Sequence, residues 1–284
     1  MNKIVRDSSA QEFLAAAGPL LYKDEPANSL MLGIAESLSV ATDPAKEQAL
    51  YIRLVNENNM TTTAALQTPP MNLILTYAKT EELATLAQYL DEAKVTFPGV
   101  VGPAQETETF ARIWSSRINK KAALSIAQKI YKLENTILPS VNGSLRLAQN
   151  DDMDLATKWL VEFAKESLPP HEHKSFEEYQ PYTARSLANK EIHFWCVNGH
   201  PVSVAYAGRP TLHGVSIRCV YTPKHLRGNG YASAVVGYLS QKMLDAGKKF
   251  CVLYTDLANP TSNKIYQNVG YREVCDSKYF VFAD

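Results

Sequence analysis

The sequence has no excess charge of either sign: Lys and Arg together number 29, as do Asp and Glu. That balance excludes the broad electropositive face with which a chain captures polyanions, so neither nucleic acid nor a membrane surface is expected as a main partner. Cysteine is scarce too. The four present, Cys196, Cys219, Cys251 and Cys275, stand singly in short strand-like apolar segments, which argues against a disulfide framework and for reduced core thiols in a cytoplasmic protein. No uninterrupted apolar run approaches the ~20 residues that span a bilayer. The apolar patch from Phe13 to Tyr22 is flanked by acidic residues and broken at Gly18-Pro19, unlike a secretory signal. No low-complexity segment interrupts the chain.

What remains is a globular composition, 45% hydrophobic and 20% charged over 284 residues, long enough for two domains at ~100–200 residues each. Residues 45–78 read as three strands separated by Glu57-Asn58-Asn59 and Thr68-Pro69-Pro70. TEELATLAQYLDEA follows as a helix with Leu83, Leu86, Ala87 and Leu90 on one face and Thr80 as its N-cap. FPGVVGP then gives a short strand and a break before another helix.

After Leu138-Pro139-Ser140 the pattern restarts, which predicts domains at 1–140 and 141–284. SLRLAQ is a strand, DDMDLATKWLVEFAKESL a helix opened by acidic residues, and EEYQPYTARSLAN a less regular helix. IHFWCV and PVSVAYAG form a hairpin across Asn198-Gly199. HGVSIRCVY, FCVLYTD, YREVC and YFVFA complete the strands. Mixed strands and helices predict an α+β fold with a mostly antiparallel sheet. The two halves look like copies of one plan, with GVVGP of the first standing where the glycine stretch stands in the second.

That stretch, VYTPKHLRGNGYA, runs a strand into Pro223 and sets Gly228 and Gly230 ahead of a helix with Ala232, Val235, Val236, Leu239, Met243 and Leu244 at helical spacing. A helix start presents unpaired N–H groups and partial positive charge, and glycines let a diphosphate approach the amides of about residues 228–232. A plain glycine turn gives the same pattern.

Arg227-Gly228-Asn229-Gly230-Tyr231-Ala232 resembles the pyrophosphate loop of the GCN5-related N-acetyltransferases. LYTDLANPTSNKIYQNVGYREV, about 30 residues on, resembles that family's second signature. The match covers residues 143–284, and residues 1–140 in outline only. The resemblance implies tandem domains of this type, the second catalytic and the first degenerate or accessory. It also implies acetyl-CoA as co-substrate, an amine as acceptor and no metal. The pantetheine arm would lie where the strand ending at Val220 and Tyr221 splays from the strand of Phe250 to Asp256, with the N–H near Val220 polarising the thioester carbonyl. Arg227 either shapes the loop or touches a phosphate.

Asn259 before Pro260 reads as a helix cap, and by resemblance contacts the pantetheine as well. Tyr266 falls on the helical face of Ile265 and Val269, as a core aromatic would; by resemblance it protonates the departing thiolate, a task that suits a phenol. Gly270 stands where a left-handed C-cap is wanted. Asn263 and Lys264 fall on a solvated face or near the CoA 3′-phosphate. His171-Glu172-His173 follows Pro169-Pro170 with no third ligand at useful spacing, which argues against a metal. His193 and His213 lie in strands. The base that frees the amine stays open among Glu172, Glu177, Glu178, His213 and a water. A longer acyl-CoA, or a module that binds acyl-CoA without turnover, would leave the same signatures.

Overall fold

The computed structural model describes residues 2–40 and 48–283, so residues 45–47 of the first predicted strand segment lie outside the described residues. The chain divides into two compact units, residues 1–130 with 274–284, and residues 131–273.

The first unit runs β1 Lys3–Asp7, α1 Ala10–Leu21, α2 Ser29–Val40, β2 Leu50–Val55, β3 Thr61–Gln67, β4 Leu73–Leu75, α3 Thr80–Glu92, β5 Gly99–Pro103 and α4 Ala104–Ile118. β6, Lys121–Leu133, carries the chain onward. β1 to β4 pair antiparallel in sequence order, and β4 pairs parallel to β5. Alternation along β2 sends Leu50, Ile52 and Leu54 into the core under α3 and α4, and Tyr51 into the core under α1 and α2. Both sheet faces are therefore covered, which is why LYIRLV reads as a continuous buried run.

Arg53 falls on the Tyr51 face and is buried. Its Nε and Nη2 donate to Asp7 Oδ2 and Oδ1 at 2.7 and 2.8 Å. The side chains are 10% and 6% exposed, so Asp7→Ala strands a buried guanidinium and should cost about 3–5 kcal/mol in urea unfolding. Adding Arg53→Met should restore most of that loss. A single-variant loss equal to that of a surface ion pair would contradict this account.

The second unit runs β7 Ser144–Leu147, α5 Met153–Ser167, α6 Phe176–Ala188, β8 Ile192–Val197, β9 His200–Gly208, β10 Gly214–Tyr221, α7 Tyr231–Asp245, β11 Phe250–Asp256, α8 Pro260–Val269 and the start of β12, Arg272–Ala283. β7 to β10 pair antiparallel in order, and β10 pairs parallel to β11. The β8–β9 hairpin turns at Asn198 and Gly199, with φ of 50° and 81°, the left-handed pair that a tight hairpin needs. One core lies under α7 and α8, with Val235, Val236, Leu239, Cys251 and Tyr266. The other lies under α5 and α6, with Trp159, Phe194, Tyr206 and Tyr221.

Among the described residues both units follow one order: a strand, two helices, three strands, a helix, a strand, a helix. Element order corrects the alignment expected from sequence. β5, carrying GVVGP, corresponds to β11, and the counterpart of the glycine stretch is the short turn Thr76 to Lys79 between β4 and α3. Thr80 is the first residue of α3 and not its cap; Lys79 is the N-cap, and its N–H donates to Glu82 Oε2 at 2.8 Å. YREVC and YFVFA merge into one strand, β12. Its residues Ser277–Val281 pair with Pro103–Gly99 of β5. The unit boundaries therefore fall at 130/131 and 273/274, where the sequence suggested a single cut after 140.

Candidate active site

A cleft of about 510 Å³ in the second unit is lined by the end of α5, the end of β10, the glycine loop and the first turns of α7 and α8. The strand whose end lines it, β10, parts from its neighbour. β10 and β11 are in register only over Gly214–Ser216 and Phe250–Val252, yet β10 runs on to Tyr221 and β11 to Asp256. Beyond Ser216 each strand keeps backbone groups that the other does not take up. β10 also slips register against β9 between Arg218 and Tyr221, where Cys219 holds φ of 51°. This bulge re-aims the strand just before Val220 and Tyr221, both of which line the cleft.

The first unit lacks this opening. β4 ends at Leu75, just past its pairs with β5, and a Cβ on Gly102 would lie 2.7 Å from Leu75 O. The two backbones stay closed where β10 and β11 part.

The loop is built to leave amides bare. Gly228 and Gly230 have φ of 85° and 77°, a region that side chains disfavour. A Cβ on Gly230 would meet Val141 Cγ2 at 3.0 Å, whereas Gly228 faces open space. Gly230 is the N-cap of α7 and offers no side-chain acceptor, and the first turn carries no acid. The first backbone bond back to the cap comes from the Ala234 N–H. The N–H groups of Tyr231, Ala232 and Ser233 thus have no partner within the helix. In the same unit α6 is capped by Ser175 and α8 by Asn259. The bare start of α7 opens on the cleft beside the capped start of α8.

Arg227 shapes this loop. Its Nε donates to Thr222 O at 2.9 Å, its Nη2 to Glu166 Oε2 at 2.6 Å, and its guanidinium lies 5.7 Å from the Tyr221 ring centroid. Asn229 adds only its backbone. Its side chain turns away from the cleft to donate to Leu226 O at 3.0 Å. Tyr231 and Ala232 line the cleft with Gly228 and Gly230.

Asn259 Oδ1 accepts from the Ser262 N–H at 3.0 Å, Pro260 follows at the first helical position, and Asn259 lines the cleft. Asn263 is spent on structure, its Nδ2 donating to the carbonyls of Asp256 and Asn259 at 2.9 and 2.7 Å. Lys264 is exposed. Tyr266 is 8% exposed, lines the cleft and packs edge-on against Tyr271. Burial alone pushes its phenol up to about 12, so it is protonated throughout the neutral range. Gly270 takes φ of 114° as C-cap of α8.

None of the candidate bases Glu172, Glu177, Glu178 and His213 lines the cleft. His193 is a core residue whose imidazole is pushed down to about 4 by burial. Among the described residues no group of three or more His, Cys, Asp or Glu is placed to hold a metal ion, and no helix is long and apolar enough to cross a membrane. Sequence reasoning missed Glu166, the acid on α5 that anchors Arg227, and Glu162, whose hydrogen bond helps burial push the Tyr221 phenol up to about 12.

Residues 197–281 match the model of the FR47-like protein family. The chain is also similar in structure to a GCN5-related N-acetyltransferase from Sphaerobacter thermophilus, with a TM-score of 0.61 at 15% identity, over 98% of this chain and 94% of the other. Both units have the GCN5-related N-acetyltransferase fold. A tandem protein of this fold from the clavulanic acid biosynthesis pathway aligns over 100% of this chain and 99% of its own, with a TM-score of 0.60 at 8% identity. A Drosophila melanogaster protein aligns over 100% and 98%, with a TM-score of 0.70 at 11% identity. No curated protein matches the chain significantly.

Proposed function

We propose that the second unit binds acetyl-CoA and transfers its acetyl group to an amine. The observation that carries this reading is the uncapped start of α7, with two left-handed glycines, sharing a cleft with the end of β10, a strand that has stopped pairing with β11. Loop amides and helix dipole suit a diphosphate, and the free strand edges suit the amide-bearing pantetheine arm. The amine nitrogen attacks the thioester carbonyl, whose oxygen takes the N–H near Val220. The C–N bond forms as the C–S bond breaks. Tyr266 gives its proton to the leaving sulfur, and the proton shed by the nitrogen passes to water. The acyl-transfer reading draws on the named relatives of the same fold, among them the Sphaerobacter N-acetyltransferase.

The first unit, with its closed β4–β5 edge and no glycine loop, serves as an accessory domain in this reading. Calorimetric titration of the full chain with acetyl-CoA tests the proposal. Micromolar binding at one site per chain is expected, followed by thiol release when amines are added. A folded chain that binds neither acetyl-CoA, CoA nor a longer acyl-CoA overturns it.

A further inference from the structure

At its end, β10 is held from outside the cleft. Past the bulge it returns to register with β9 at Tyr221, opposite Val204, while its pairing with β11 has stopped at Ser216. Two consecutive carbonyls there are held by side chains. Arg227 Nε donates to Thr222 O at 2.9 Å, and Ser203 Oγ of β9 donates to Tyr221 O at 3.0 Å. Ser203 is fully buried and does not line the cleft. Its oxygen also lies 2.9 Å from Thr222 Oγ1. A serine hydroxyl has one proton and a carbonyl can only accept, so that proton goes to Tyr221 O and the Thr222 hydroxyl donates to Ser203. One buried oxygen thus ties the carbonyl of one residue and the side chain of the next.

We propose that Ser203 is a positioning residue for acyl transfer: by pinning the Tyr221 carbonyl it aims the N–H near Val220 at the thioester carbonyl. The inference rests on the acyl-CoA reading above. Val220 stands in register with no residue of β9 or β11, so the strand ladders do not fix its amide. The Tyr221 carbonyl, two peptide planes on, is where the chain is next secured. A donor stabilises an oxyanion only when it points at the place where charge develops, so a small swing of this segment costs polarisation before it costs binding. The diphosphate contacts proposed at the start of α7 are secured separately, through the bonds of Arg227 to Thr222 O and Glu166.

The test is the infrared band of the thioester carbonyl, read as the difference between carbonyl-labelled and unlabelled acetyl-CoA bound to the full chain, for wild type, Ser203→Ala and Thr183→Val. Thr183 is the comparison because its hydroxyl is also on a fully buried residue. It bonds Tyr179 O within α6 and does not line the cleft. Each substitution removes a buried hydrogen bond, so both should lower the melting temperature by a few degrees. Wild type should shift the bound carbonyl to lower frequency than in free acetyl-CoA. Ser203→Ala should return the band most of the way, with affinity held within about fivefold, and Thr183→Val should leave the band in place. A band that keeps its wild-type frequency in Ser203→Ala, or moves equally in Thr183→Val, overturns the proposal. So does a larger loss of affinity in Ser203→Ala, which would make Ser203 part of what holds the ligand. A wild-type chain that binds acetyl-CoA without shifting its carbonyl band also overturns it while leaving acyl-CoA binding intact. Failure to bind acetyl-CoA removes both readings.

Discussion

Ala232→Glu should abolish acetyl-CoA binding while leaving the fold as stable as before or slightly more so. The two effects have opposite signs because one residue serves two partners. Ala232 lies in the first turn of α7, whose start has neither a capping side chain nor an acid. A carboxylate there meets the positive end of the helix dipole and stabilises the helix by about 0.3–1 kcal/mol. Ala232 also lines the cleft, so the same carboxylate occupies the place proposed for the diphosphate and repels it. Loss of one charge-assisted contact is worth roughly 1.5–3 kcal/mol. Replacing it by repulsion adds to that, so affinity should fall by about a hundredfold or more. Calorimetry and thermal melting on the same sample separate the outcomes. Full binding by a stable Ala232→Glu chain would show that the α7 amides hold no phosphate.

The glycine loop was legible because its geometry needs particular residues. Left-handed φ at positions 228 and 230 calls for glycine, and the same logic makes Asn198-Gly199 a hairpin and Asn259-Pro260 a helix start. The bulge at Cys219 needs the same left-handed backbone, yet a cysteine supplies it, so nothing in the sequence marks the residue that re-aims β10. Glu166 was hidden for another reason. It meets Arg227 across 61 residues, a pairing that only the packing of α5 against β10 creates. The boundary near residue 140 misled in a related way. The Leu138-Pro139 break is local, whereas the unit to which the chain's last strand belongs depends on its pairing with β5. The false match of GVVGP to the glycine stretch came from reading residues without element order, since the true counterpart, Thr76 to Lys79, has no glycine at all.

Tyr266→Phe separates transfer from mere binding. The ring stays, so the packing against Tyr271 and the core under α8 are kept, and acetyl-CoA affinity should change little. What is lost is the proton for the departing sulfur, a general-acid contribution on the order of 10²–10⁴-fold in kcat. The pH dependence carries its own sign. Burial raises the Tyr266 phenol to about 12, so the protonated form that donates is fully present at neutral pH and is lost only as the pH nears about 12. Tyr266 therefore imposes no falling limb on kcat across the neutral and mildly alkaline range. A rise in rate with pH should reflect deprotonation of the amine instead, and Tyr266→Phe should lower the whole profile without moving it. An alkaline limb well below about 12 that vanishes in Tyr266→Phe would show a phenol that titrates more readily than its burial allows. Unchanged turnover in Tyr266→Phe would assign the side chain to the core alone and leave the leaving thiolate to be protonated by water.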